Sequence, residues 1–269
     1  MDSSVFALAT VASYLSSTLY IAFRLFRRQR EHVPPRAIGI VLGMSGVVFH
    51  SIYLYLTMFT GDGVNLGFFS AASSISWIIL VLLMLSSLSK PVENLGIPLF
   101  PLAIASIVLQ TQYPSAHFLA IDTPWMLRIH VLISMLAYSL LTLASVQAVL
   151  LAIQDHHLRN RHPGGFIRAL PPLQTMEQLL FEMIGLGFAL LTIALISGFL
   201  FLEHMFAQHL VHKTILSLTA WVVFGTLLWG RFRYGWRGQK ALTWTLVGFV
   251  VLMLAYFGSK FVLELVLTV

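Results

Sequence analysis

The chain has 269 residues, of which 58% are apolar and only 10% charged, with a mean hydropathy of +0.87. A soluble domain carries roughly 25% charged residues, so the composition excludes an ordinary soluble fold and points to an integral membrane protein. There is no cysteine, which rules out disulfide exchange through the chain's own thiols, a zinc–thiolate site and covalent C-x-x-C-H haem attachment.

A helix needs ~20 predominantly apolar residues to cross a hydrocarbon core of ~30 Å. Eight runs meet or approach that length: 4–23, 37–60, 67–89, 97–110, 125–152, 176–202, 213–229 and 241–266. The expected fold is all-α, a single transmembrane domain over 1–269 formed by a bundle of about eight helices. Only Asp2 is charged before the first run. A secretory signal would need a positive n-region and a cleavage site of small residues, so this segment is expected to remain as the first span. The fourth run is the shortest and is bounded by Pro98, Pro101 and Pro114. No internal repeat or low-complexity tract is visible.

Basic residues set the expected orientation. With both termini outside, the inner connections are "RLFRRQREHVPPR", "SKPVENLG", "QDHHLRNRHPGGFIRALPP" and "GRFRYGWRGQK". They hold 13 of the 16 Lys and Arg residues, leaving Arg128, Lys213 and Lys260 outside. That asymmetry follows the positive-inside rule. It accounts for the net charge of +6 through juxtamembrane loops that favour anionic lipid headgroups, with no nucleic-acid partner. The third connection is the longest and contains Pro and Gly, which break a helix. It is a candidate docking segment for a cytosolic partner.

In this orientation the stretch "EHMFAQHLVHKTILSLTAW" gathers Glu203, His204, His209, His212 and Lys213 at the outer end of the seventh span. Arg128 and His130 lie at the outer start of the fifth. His50 falls near the middle of the second span, where an ionisable residue is a functional candidate by default; its structural alternative is a hydrogen bond to a neighbouring helix. The cytoplasmic trio His156, His157 and His162 belongs to a solvated loop. Neutral imidazole ligates haem iron, zinc or copper. Haem also carries two propionates that Arg or Lys can neutralise, which suits Arg128 beside His130 and Lys213 beside His212. A bare metal would favour carboxylates or thiolates, and the outer loops offer only Asp62, Asp122 and Glu203.

Three segments, "MLRIHVLISMLAYSLLTLASVQAVLLAIQ", "EMIGLGFALLTIALISGFLF" and "HKTILSLTAWVVFGTLLWGRFRYGWRGQKALTWTLVGFVVLMLAYFGSKFVLE", resemble successive parts of the cytochrome c assembly family. These are haem-handling membrane proteins of the CcsA, CcmC and HemX type, and the short inner-membrane members of the YpjD and HemX sort are most similar. The resemblance covers about 120–269, and "GWRGQKA" is its clearest element. It implies a multi-pass protein of the bacterial inner membrane that handles haem b, in cytochrome c biogenesis or haem handling, with a haem-biogenesis or other membrane protein as partner.

The family's outer histidine, in a pattern like H-V-x-x-x-x-L-x-Y, falls on His130. Of the lyases' W-D-P-K-E core only Lys213 is present, and His212 stands where the proline would be. Trp229 and Leu267 stand where lyases have further histidines. The residues that lyases use for haem attachment are therefore largely missing, and no catalytic residue is assigned. The resemblance makes His130 and His212 the candidate axial haem ligands, with His209 beside them. It leaves His50 for a second haem or for haem passage. Two alternatives stay open. One is a regulatory partner of another membrane system, such as a metal-ion exporter, that has lost haem. The other is a small-solute transporter, against which stands the lack of an inverted repeat.

Overall fold

The computed structural model describes residues 2–27, 33–60, 63–114, 118–119, 123–160, 170–201 and 208–261. Among them are eight helices long and apolar enough to span a membrane. They fall into two compact units, one carrying the first four spans and the other the last four.

The first unit contains α1 (Ser3–Arg27), α2 (Arg36–Met58), α3 (Phe68–Ser89) and α4 (Gly96–Gln112). Helix α2 starts directly after Pro34–Pro35, and α4 follows a single 3-10 turn at Glu93–Leu95. Pro98 sits in the first turn of α4, where a missing N–H costs nothing, and Pro101 lies inside the helix. This short fourth span is formed as expected. Helix α1 packs on α2 and α4, and α3 packs on the same two, closing a ring of four. Tyr14, Tyr53, Leu80, Leu83 and Phe100 fill its centre. Gly46 lets Tyr14 lie flat on α2, because a Cβ there would stand 2.4 Å from the tyrosine ring.

A small antiparallel sheet, absent from the sequence reading, caps one end of this unit. It joins β1 (Phe59–Thr60), β2 (Gly63–Asn65) and β3 (Phe118–Leu119), with Phe59 opposite Val64 and Val64 opposite Leu119. Strands of two or three residues are too short for an alternating pattern to register. At the other end, the buried Glu93 lies 3.4 Å from Arg24 and 3.3 Å from Arg36. Arg36 also donates to the Ser87 and Lys90 carbonyls.

The second unit contains α5 (Trp125–Arg159), α6 (Leu173–Phe201), α7 (Gln208–Tyr234) and α8 (Gln239–Met253). The last continues through a π-helical turn, Leu254–Gly258, into Ser259–Phe261. The packing again closes a ring, with α5 and α7 each against α6 and α8. Leu141, Leu180, Ile184, Phe224 and Leu227 form its core. Helix α5 is longer than the 125–152 span and runs seven residues beyond it to Arg159. His156 and His157 are thus exposed helical residues, bonded locally to Asn160 and to the Ile153 carbonyl. Residues 161–169 of the candidate docking segment lie outside the described residues.

Outward faces carry large apolar side chains such as Leu19, Val41, Leu186, Ile196 and Val222. In water such a surface would be an association liability. Against lipid it is the matching solvent.

Candidate functional site

The histidines occupy distinct environments. His50, fully buried in the first unit, has both ring nitrogens engaged: Nδ1 lies 3.2 Å from Tyr14 Oη and Nε2 lies 3.0 Å from Ser73 Oγ. A neutral imidazole has one donor and one acceptor nitrogen, so these contacts use its full capacity. They tie α1, α2 and α3 together and leave no nitrogen for a metal in this geometry.

His130 is placed differently. It lies five residues into α5, in a cavity of about 120 Å³ confined to the second unit. Helical periodicity puts Ser134 and Tyr138 on the same face at successive i+4 steps, and both line the cavity. Helix α6 contributes Leu191, Ala194 and Leu195; α7 contributes Lys213, Thr214 and Ser217. Leu252, Ala255 and Tyr256 come from the end of α8. The π-helical turn at Leu254–Gly258 widens the backbone there, a feature often found at functional sites. Tyr138 packs against Tyr256 and Phe257 at ring-centroid distances of 5.7 and 5.6 Å. The Lys213 ammonium stands 5.2 Å from the Tyr256 ring centroid.

Among the described residues the cavity thus joins one imidazole, one cation, hydroxyls and aromatic rings, with no carboxylate in its lining. Of the residues singled out from sequence, it brings together His130 and Lys213. His212 is exposed and is absent from the lining. Neighbouring residues on an α-helix point ~100° apart, so a residue beside Lys213 need not share its face. Arg128 is also exposed. His209 lies in the first turn of α7, and Glu203 and His204 lie outside the described residues. No group of three or more His, Cys, Asp or Glu side chains among the described residues is arranged to hold a bare metal ion.

Haem makes different demands, and the donor set meets two of them: an imidazole for iron and an ammonium for a propionate. The volume is below the ~300–1,000 Å³ of pockets that enclose a drug-sized ligand. The cavity therefore suits part of a macrocycle rather than all of it.

The other end of this unit is built around Glu177 in the first turns of α6. Its carboxylate accepts from Arg237 Nε at 3.1 Å and Nη2 at 2.9 Å, and from Arg231 Nη1 at 3.3 Å. This bonding to Glu177 raises the affinity of the Arg237 guanidinium for its proton above the ordinary value. The loop that delivers Arg237 needs two left-handed residues, Gly235 at φ +65° and Gly238 at φ +55°. Gly235 ends α7 as a left-handed helix cap, donating to the Arg231 carbonyl at 3.1 Å while the Trp236 N–H donates to the Gly230 carbonyl at 3.2 Å. Trp236 then folds back over Gly230, where a Cβ would stand 2.4 Å from the indole. This is the "GWRGQKA" stretch, and its glycines and tryptophan serve a turn that holds an ion cluster.

The Cytochrome C assembly protein family model matches residues 38–267, extending the resemblance well before residue 120. The inner membrane protein YpjD of Escherichia coli (strain K12) is 31% identical over 97% of this chain and 99% of its own length. Cytochrome c biogenesis protein CcsA is 25% identical in Porphyra purpurea, over 62% of this chain and 65% of that protein. In Chlamydomonas reinhardtii it is 28% identical, over 70% and 52%. No solved structure matches. The eight spans, the extent of the family match and the near full-length relative together establish that this chain belongs to the cytochrome c assembly protein family.

Proposed function

We propose that this chain handles haem b in the inner membrane in support of cytochrome c biogenesis, taking haem as cargo at the cavity of the second unit. His130 is the iron ligand within the cavity and Lys213 the counter-charge for a propionate. His212, exposed next to Lys213, is the candidate for the second axial position. Arg128 and His209 belong to the same helix ends and are candidates for the second propionate and a supporting contact. The single observation carrying this reading is that His130 and Lys213, 83 positions apart in the chain, line one cavity with no carboxylate among its described lining residues. The CcsA relatives are named as cytochrome c biogenesis proteins and the YpjD relative as an inner membrane protein, which agrees with both the activity and the location.

When bound, haem brings the iron centre that a cytochrome requires. The chain supplies an imidazole held in an apolar wall, a positive charge at a fixed place and aromatic surface from Tyr138 and Tyr256. These groups hold and orient a bound macrocycle, so the proposed role is holding and presenting haem.

The test is haem titration of protein in nanodiscs. Wild type should develop a Soret band that shifts on reduction. His130→Ala should weaken or change the band, Lys213→Ala should lower occupancy, and His156→Ala should match wild type. Rescue of His130→Ala by free imidazole would identify direct ligation. No band in wild-type protein at stoichiometric haem would overturn the reading and favour the regulatory alternative.

A further inference from the structure

We infer that Ser197 is a positioning residue that fixes the tautomer of His130 and so directs Nε2 to act as the ligand nitrogen. The inference deepens the haem reading, since it names the residue on which the proposed iron ligand depends. Ser197 lies near the end of α6 and is buried. Its Oγ stands 2.8 Å from His130 Nδ1 and 2.9 Å from the Ala194 carbonyl.

A serine hydroxyl has one proton to give and two lone pairs that can accept. The Ala194 carbonyl can only accept, so when Ser197 donates to it, its Oγ can only accept from His130. The imidazole must then carry its proton on Nδ1, giving the chain Nδ1–H to Oγ, then Oγ–H to the carbonyl. All three polar atoms are satisfied. In the opposite tautomer, bare Nδ1 and the Ala194 carbonyl would compete for one hydroxyl proton. The Nε2–H would also need one of the lining hydroxyls, on Ser134, Tyr138, Thr214, Ser217 or Tyr256, as its acceptor, since Lys213, the charged residue among the described lining, only donates. The geometry thus places the lone pair on Nε2. Metal-binding histidines use this device generally, with the second nitrogen bonded to a fixed acceptor that orients the ring and raises its basicity.

The decisive measurement needs no haem. Protein carrying ¹⁵N-labelled histidine, reconstituted in nanodiscs at neutral pH, should show His130 with a protonated Nδ1 and a bare Nε2; the His130→Ala spectrum assigns the signal. Ser197→Ala removes the acceptor and should shift the ring toward a mixture of tautomers. Ser197→Thr keeps the hydroxyl and should preserve the wild-type pattern. A wild-type ring protonated on Nε2, or an unchanged tautomer in Ser197→Ala, would overturn the inference.

The second measurement is haem affinity. It should fall about 10- to 100-fold in Ser197→Ala, the usual cost of removing such a supporting bond, and recover in Ser197→Thr. The unfolding midpoint of each variant separates this effect from lost packing, since a merely structural serine would change stability and leave the tautomer alone. If wild-type protein binds no haem, the haem reading fails while the tautomer result still decides the role of Ser197.

Discussion

Substituting Gly46 by alanine tests the packing of the first unit with a single methyl group. A Cβ at this position would lie 2.4 and 2.5 Å from two carbons of the Tyr14 ring, and ordinary contact begins at 3.4 Å. The ring must therefore retreat by about 1 Å, the difference between those distances. Tyr14 is fully buried and packed against the Phe100 ring at a centroid distance of 5.1 Å, so retreat means strain. Its 3.2 Å contact with His50 would pass beyond hydrogen-bonding range. Overpacking of this kind costs about 1–3 kcal/mol, and a polar contact between helices in a membrane contributes about 0.6 kcal/mol. Alanine recovers up to ~1 kcal/mol of helix propensity over glycine. The net expectation is destabilisation by about 1–3 kcal/mol. Gly185→Ala in α6 is the control, because nothing lies within 4 Å of its added Cβ; it should be neutral or stabilising by up to ~1 kcal/mol. Equilibrium unfolding by steric trapping or by denaturing detergent reads both. Adding Tyr14→Phe to Gly46→Ala should cost less than Tyr14→Phe alone, since the contact to His50 is already broken. Equal midpoints for the two alanine variants would refute the account of Gly46.

In the same unfolding assay, His50→Ala should be destabilising because it leaves Tyr14 and Ser73 without a buried partner, while haem titration in surviving folded protein should match wild type. Loss of the haem band without loss of stability would instead make His50 a ligand. Glu177→Gln should free Arg237 and Arg231 from their shared carboxylate, read as several-fold faster trypsin cleavage after Arg237; unchanged cleavage would show that the turn is held by its glycines and Trp236 alone. For the proposed orientation, a cysteine at Gln208 should react with an impermeant thiol reagent in intact cells and one at Gln239 should not. Reversed labelling would put the cavity mouth on the cytosolic side and remove presentation on the outer face.

Much of the fold was legible because a bilayer imposes a length and a polarity on every span. Even the proline-rich fourth run obeyed that requirement, since Pro98 falls where a helix start tolerates it. Helix ends were less legible. The sequence "QDHHLRN" is polar and reads as loop, yet nothing in it prevents α5 from extending past the hydrophobic run, and it does so to Arg159. The sheet at Phe59, Val64 and Leu119 adds to a local pairing a strand more than fifty positions away, each segment too short to carry a pattern of its own. The ion clusters were hidden for another reason. Arg24, Arg36, Arg231 and Arg237 all counted toward orientation as basic residues. That they converge on Glu93 and Glu177 depends on which helices are neighbours in the ring, which charge counting cannot supply.

The candidate site shows where periodicity carries information and where adjacency misleads. His130, Ser134 and Tyr138 repeat every four residues, so their common face follows from the helix alone, and the tyrosine of the H-V-x-x-x-x-L-x-Y pattern reaches the cavity for that reason. Lys213 and His212 are neighbours in sequence, and the chemistry of haem makes both attractive. On a helix, however, adjacent side chains diverge by ~100°, and the cavity takes the lysine. Ser197 carried no sequence signal at all, because a serine in an apolar span is usually satisfied by its own helix. Only the 2.8 Å approach of His130 from α5 converts that local bond into a relay. In the proposed arrangement the free nitrogen of His130 is set by a residue 67 positions away, through one hydroxyl proton held by the Ala194 carbonyl.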